Sequence, residues 1–379
     1  MRRANAAADA SAECWRGLGE GRLLDALKAP LAAAEDALAR LDERVRASQI
    51  REGFVSRSHF GDACASLWLA GELVMLEDLV LHDARMDIRS PTHEVTRAQA
   101  VLRTRRQIAG AAPDWALSPD GLKILRGDSE SRTEEATRVG EGLDGADAAA
   151  LELPGGADPL AGELAALERA LNRSDKLLAG DAARARGPRD PLIYDPDWEG
   201  DEKLEAWRRA GAAAPAEPPL LAAALLWDAW ETNPPLERQA WLGALLVAAT
   251  LRARQKTRAH LCCVNSALKL VPRERRRSRD RTVRLTAFLE AIAAGAEAGM
   301  ADHDRWLLAR RRLEGKLKGR RCSSRLPTLV EFMLARPIAS AGMIAAALGV
   351  TPRAAQDMVA ELGLREMTGR GRYRAWGIL

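Results

Sequence analysis

The run Leu348-Gly349-Val350-Thr351-Pro352 constrains this chain more than any other. A glycine there can take up the left-handed conformation that ends one helix, a threonine can cap the next, and a proline, lacking an N–H, fits the first turn. Two helices joined through so short a turn cross steeply, which requires a small residue at the crossing. Ala345 supplies it, and Ile344, Ala355 and Met358 fall where the helices would wedge together. A preceding helix is legible in Leu326, Leu329, Val330 and Met333, spaced i, i+3, i+4, i+7. The spacing predicts a helix-turn-helix.

Beyond it, residues 364–368 and 373–377 read as two short strands around Gly369-Arg370-Gly371-Arg372, a glycine-bounded hairpin tip. Residues 325–379 are therefore expected to form a winged helix-turn-helix that binds duplex DNA. Thr351 caps its second helix, and Arg353, Gln356, Asp357 and Ala360 share the face opposite the packed one. Arg353 and Gln356 are the residue types that read guanine and adenine edges bidentately. Arg365, Arg370, Arg372 and Arg374 would make the wing positive, suited to phosphate or minor-groove contact. Winged helices also serve as protein-interaction modules. Residues 351–362 carry only Arg353 against Asp357 and Glu361, so affinity would have to come from the wing and from basic segments upstream.

Such segments exist. Twelve Lys/Arg face two acids over residues 252–284 and nine face one over 305–325, within a chain whose net charge is only +4. Basic blocks attract polyanions through counterion release, although a solvated helix face gives the same pattern.

Over 379 residues, alanine, leucine and arginine dominate while Tyr and Phe number 2 and 4, which favours helix. The expected class is mainly α, a multi-helix body with the winged helix at its C-terminal end. A chain this long exceeds one comfortable core. The expected division is an N-terminal helical domain (1–127), a partly disordered acidic linker with one or two helices (128–215), a central helical domain with a basic face (216–315) and the winged helix (325–379). Leu24, Leu27, Leu31, Leu38, Leu41 and Val45 form a heptad-like stripe, expected to start a continuous helix near Pro30 and to pack within the chain rather than as a dimeric coiled coil. Residues 60–82 and 92–108 read as further helices. A helix over 160–171, a Pro/Gly/Arg-rich break at 180–191 and a helix near 203–209 follow. Four or so helices are expected over 218–314, with Trp227, Trp230, Trp241 and Trp306 as core anchors.

The first twenty residues lack an apolar run, and the longest greasy stretches are about half a membrane span, so the expected location is the cytoplasm, on the nucleoid. The five cysteines form no C-x-x-C pair and read as reduced thiols. His260-Leu261-Cys262-Cys263 offers three donors, one short of a closed zinc site, and no metal or cofactor is expected. No G-x-S-x-G or Walker-type glycine loop occurs, so neither hydrolase nor P-loop chemistry is expected. The expected partner is duplex DNA, with a homodimer left open.

The pattern resembles a family of bacterial proteins that joins a helical domain of unknown function to a C-terminal helix-turn-helix, and more distantly the Fic proteins. Ser66, Gly71 and Leu76-Glu77-Asp78-Leu79 follow the order of the Fic S-x-x-x-E-G helix and its L-E-E-L-like segment, but Ala70 replaces the inhibitory glutamate. The stretch comparable to H-P-F-x-x-G-N-G-R, from Asn233 to Gly243, lacks both the histidine and the glycine-rich turn. The resemblance implies shared ancestry without adenylyl transfer, because base and phosphate cradle are both missing. The other reading it leaves is a residual nucleotide-binding body that uses the winged helix for targeting.

Overall fold

A computed structural model describes residues 21–86, 90–126, 200–212, 217–236, 239–317, 325–368 and 374–378. The expectations for 128–199, including the helix over 160–171 and the break at 180–191, lie outside these residues, as do Cys14 and Cys322. The structure is mainly α-helical. It divides into one unit of Met1–Ser118 with Asp201–Leu379 and another of Pro119–Gly200.

The first unit opens with α1 (Gly21–Arg46), α2 (Arg51–Leu69), α3 (Leu76–Asp83) and α4 (His93–Gly110). The described part of the second unit is α5 (Pro119–Arg126). The first unit resumes with α6 (Gly200–Ala212), α7 (Pro219–Thr232), α8 (Leu242–Ala253), the short α9 (Val264–Leu268) and α10 (Arg273–Arg276), and the long α11 (Arg281–Leu317). Its C-terminal part is α12 (Leu326–Ala335), β1 (Ala339–Ser340), α13 (Ala341–Leu348), α14 (Pro352–Leu362), β2 (Arg365–Glu366) and β3 (Ala375–Gly377). Within the first unit, Ala37, Leu41, Val45 and Phe54 pack with Ala259 and Ala296 in one core.

The apolar stripe of α1 finds its partner in α11. Leu27, Ala34, Ala37, Leu38, Leu41 and Val45 are buried, each leucine contributing about 1.5–3 kcal/mol of burial. Close approach depends on Gly299, where a Cβ would sit 3.0 Å from Leu41 Cδ2. Two sequence expectations are corrected. First, α1 runs through Pro30 from Gly21 instead of starting near it. Ala26, whose carbonyl loses its partner to the proline, is exposed to water there, and packing along α11 outweighs the local cost. Second, residues 60–82 are not one helix: α2 stops at Leu69, Gly71 turns with φ +87, and the Glu72 amide donates back to the Leu67 carbonyl at 2.9 Å.

Polar groups pin the core. Arg105 and Asp62, both fully buried, pair at 2.5 Å, and Asp62 also accepts from Asn265 Nδ2 and the Ser266 amide. Asp42 accepts from the amides of Arg258 and Ala259 and pairs with His260 Nδ1 at 3.0 Å. Burial opposes ionisation of Asp42, but these hydrogen bonds and His260 leave its pKa below the usual aspartate value. Of the tryptophans expected as anchors, Trp230 is fully buried and Trp227, Trp241 and Trp306 are half-buried. Trp207, not singled out in the sequence, is buried, donates to the Leu226 carbonyl at 2.8 Å and meets Trp230 edge-on. Among the described residues no helix is long and apolar enough to cross a membrane.

Candidate nucleic-acid interface

Ser340 opens α13 by accepting from the Met343 amide at 3.2 Å. Gly349 closes it at φ +61, where a side chain would be strained. Thr351 then caps α14, its hydroxyl accepting from the Ala354 amide at 3.2 Å, with Pro352 in the first turn. The two helices wedge together on Ile344, Ala345, Ala355 and Val359, all buried, whereas Met358 is half-buried. Leu326, Leu329, Val330 and Met333 bury the inner face of α12 beneath them. The strands form one antiparallel sheet in the order β1-β3-β2, with Ala339 opposite Trp376 and Arg365 opposite Gly377.

The outward face of α14 is open. Arg353, Gln356, Asp357 and Ala360 are all exposed on it, and Arg353 Nε lies 3.6 Å from Asp357 one turn on. An exposed i,i+4 pair of that length is worth about 0.3–0.5 kcal/mol, less than the roughly 1–3 kcal/mol of a bidentate base contact, so it does not bar Arg353 from a guanine edge. Arg365 is exposed on β2. Arg374, also exposed, pairs with Glu366 at 2.7 Å and lies over the Trp376 ring. Arg370 and Arg372 lie outside the described residues.

The opposite side of this module is fastened to the body by groups that sequence reasoning missed. Arg57 of α2, buried, donates from Nε to the Leu334 carbonyl at 2.7 Å and from Nη2 to the carbonyls of Met333 and Arg336 at 2.8 and 2.6 Å. Burial, with a smaller push from Arg305, holds its pKa down to about 10. Gly53 brings the α2 backbone so close to α12 that a Cβ would sit 3.0 Å from the Leu334 oxygen. Arg310 on α11 donates to the Gln49 carbonyl at 2.6 Å and pairs with Glu331 of α12 at 2.8 Å. Lys316, in the last turn of α11, donates to the Leu362 carbonyl at 2.6 Å, and Arg325 donates to the carbonyls of Leu348 and Gly349 in the turn itself. The signal available in the sequence was the basic block 305–325, read there as a polyanion face.

The other basic block is likewise committed in part. Arg281 and Arg284 share Asp228, Arg275 pairs with Glu290, Lys256 pairs with Glu35, and Arg252 donates to the Ile108 carbonyl. Arg273, Arg279, Arg311 and Arg312 are exposed, with no ion pair among the described residues. The groups around His260 and Cys262 are committed to the core rather than reactive. His260 is taken by Asp42, and burial raises the Cys262 thiol pKa and pushes that of Cys263 up to about 12.

Residues 192–318 match the family model described as a protein of unknown function (DUF1612), and residues 326–379 match that of an HTH DNA binding domain. The chain is 46% identical over 378 residues to "Uncharacterized protein y4cF" of Sinorhizobium fredii (strain NBRC 101917 / NGR234), an alignment covering 93% of this chain and 97% of the relative.

Proposed function

Because the chain belongs to the family of that rhizobial protein and ends in an HTH DNA-binding domain, we propose that it is a transcriptional regulator that binds duplex DNA in a site-specific way. The observation that carries this reading is the asymmetry of the C-terminal module: its α12 side is fastened to the body, while the Arg353–Gln356–Asp357 face of α14 is open. In the proposal Arg353 and Gln356 read bases in the major groove, Thr351 and Asp357 flank them, and the β2–β3 hairpin acts as a wing whose Arg365, Arg370, Arg372 and Arg374 hold phosphates or line the minor groove. An association with a plasmid or mobile element fits the same chemistry. The alternative of a Fic-like nucleotide-binding body has no geometric support around Gly243: a Cβ there would lie 2.4 Å from the Trp230 indole, so this glycine serves helix packing rather than an anion cradle.

The test is a salt series on the intact chain with genomic duplex fragments. If about four to six arginines of the module meet phosphates, log K should fall against log[salt] with a slope of roughly −4 to −5. No binding at low salt, or binding indifferent to salt, would sink the reading in favour of a protein-interaction module.

A further inference from the structure

A cavity of about 620 Å³ opens between the helical body and the C-terminal module. Phe54, Ile292 and Trp306 wall it on the body side, and Ile338, Met367 and Ile378 on the side of the small sheet. Its size is that of a small-molecule site, and such sites combine apolar walls with few, placed polar groups. Arg57 is one of the lining residues. Its Nε and one terminal nitrogen are spent on the three α12 carbonyls. The carboxylates of Glu77 and Asp302 also line the cavity; Asp302 acts on Arg57 electrostatically but is paired with Arg305 at 2.6 Å, and no carboxylate lies within ion-pair distance of Arg57 among the described residues. A buried cation that meets only carbonyls, the Trp306 ring and the distant field of an already paired Asp302 is costly, and an incoming anion would relieve that cost. Its depressed pKa, down to about 10, points the same way.

We propose that this cavity binds a hydrophobic monocarboxylate, its apolar part among Phe54, Trp306 and Ile338 and its carboxylate on Arg57, and that the ligand acts as an effector of DNA binding. The effector role follows from the walls. Met367 and Ile378 adjoin the two strands of the hairpin, so an occupant touches the body and the hairpin at once, and ligand and DNA affinities then change each other by the same factor. This second half rests on the DNA reading above, and the first half does not.

Gly61 gives a clean probe, because it lines the cavity, lies inside α2 and has nothing within 4 Å of a Cβ built on it. Replacing it by leucine fills space and improves helix propensity. Calorimetric titration of the intact chain without DNA, with decanoate, 1-decanol and decylammonium, should show decanoate binding about tenfold or more tightly than the others. G61L should lose that binding at least tenfold with an unchanged or raised melting temperature, and Gly61→Ala should fall between. Equal binding of the three probes, no binding by any, or full binding by G61L would overturn the site. Saturating decanoate should then shift the affinity for DNA at least threefold in the parent and not in G61L; an unshifted affinity overturns the effector role. Should the chain bind no DNA at all, the calorimetry still reads the site by itself.

Discussion

Replacing Arg57 by methionine keeps an unbranched apolar stem of similar length and removes only the guanidinium, so it isolates what that group does between α2 and α12. Three carbonyls lose a charged donor. Hydrogen bonds to charged groups contribute about 1.5–3 kcal/mol each, which sets a gross loss of roughly 4–9 kcal/mol. Against this stands the relief of a buried charge, whose pKa has been pushed from 12.5 to about 10, equivalent to about 3 kcal/mol. The net destabilisation expected is about 2–6 kcal/mol, concentrated where α12 meets the body. Arg57→Lys should recover less than half of it, because an ammonium cannot reproduce the planar fork. Urea unfolding followed by tryptophan fluorescence gives the total, and Trp306, whose ring lies 5.0 Å from the Arg57 guanidinium carbon, gives a local signal. Amide exchange at Leu329 to Leu334 locates the loss. A midpoint shift worth less than about 1 kcal/mol, or unchanged exchange in α12, would refute the idea that Arg57 docks the module.

Other perturbations separate the remaining roles. His59 is buried with Nδ1 unpartnered, and burial together with Arg105 and Arg106 holds its pKa down to about 3. The folded state therefore refuses a proton that the unfolded state accepts below pH 6.5. Stability present above pH 6.5 should fall by roughly 1.4 kcal/mol per pH unit towards pH 3, and His59→Leu should flatten that limb in urea titrations between pH 6.5 and 4. Asp62→Asn leaves the Arg105 guanidinium buried without its counter-charge and should cost about 3–5 kcal/mol by chemical denaturation; a cost under 1 kcal/mol would show that the pair is not what pins α2 to α4 and α9. Arg353→Ala should cost about 1–3 kcal/mol on a preferred DNA site and little on unrelated sequence. The double replacement of Arg370 and Arg372 by alanine should weaken all sequences alike and lower the salt slope by up to roughly two units; the reverse outcome makes the hairpin the reader.

What was legible in the sequence is what local physics decides. Gly349 reaches the left-handed turn that other residues avoid, Thr351 can cap through its hydroxyl and Pro352 has its φ fixed for a first turn, so their order alone placed the end of α13, the turn and the start of α14. The stripe of α1 was legible for the same reason, because burial imposes its period whatever the partner. Pro30 misled because a local rule was applied where tertiary packing along α11 decides, and the run over 60–82 misled because its apolar content hid Gly71.

Arginine was the residue type least open to reading from sequence. Its charge shows, but its partner does not: Arg57 and the Leu334 carbonyl are 277 positions apart, and nothing in either neighbourhood names the other. Arg310, Lys316 and Arg325 looked like one basic face, yet each spends its donors on Gln49, Leu362 or the Leu348–Gly349 turn. A guanidinium or ammonium held against a carbonyl of the protein keeps its charge but has fewer donors to offer a phosphate directly. The count of basic residues therefore overstates the surface offered to phosphate, and the difference goes into orienting the module. A helix-turn-helix docked through the preceding helix α12 presents α14 in one direction. The body, with its cavity against the hairpin, is then placed to alter how that helix meets DNA.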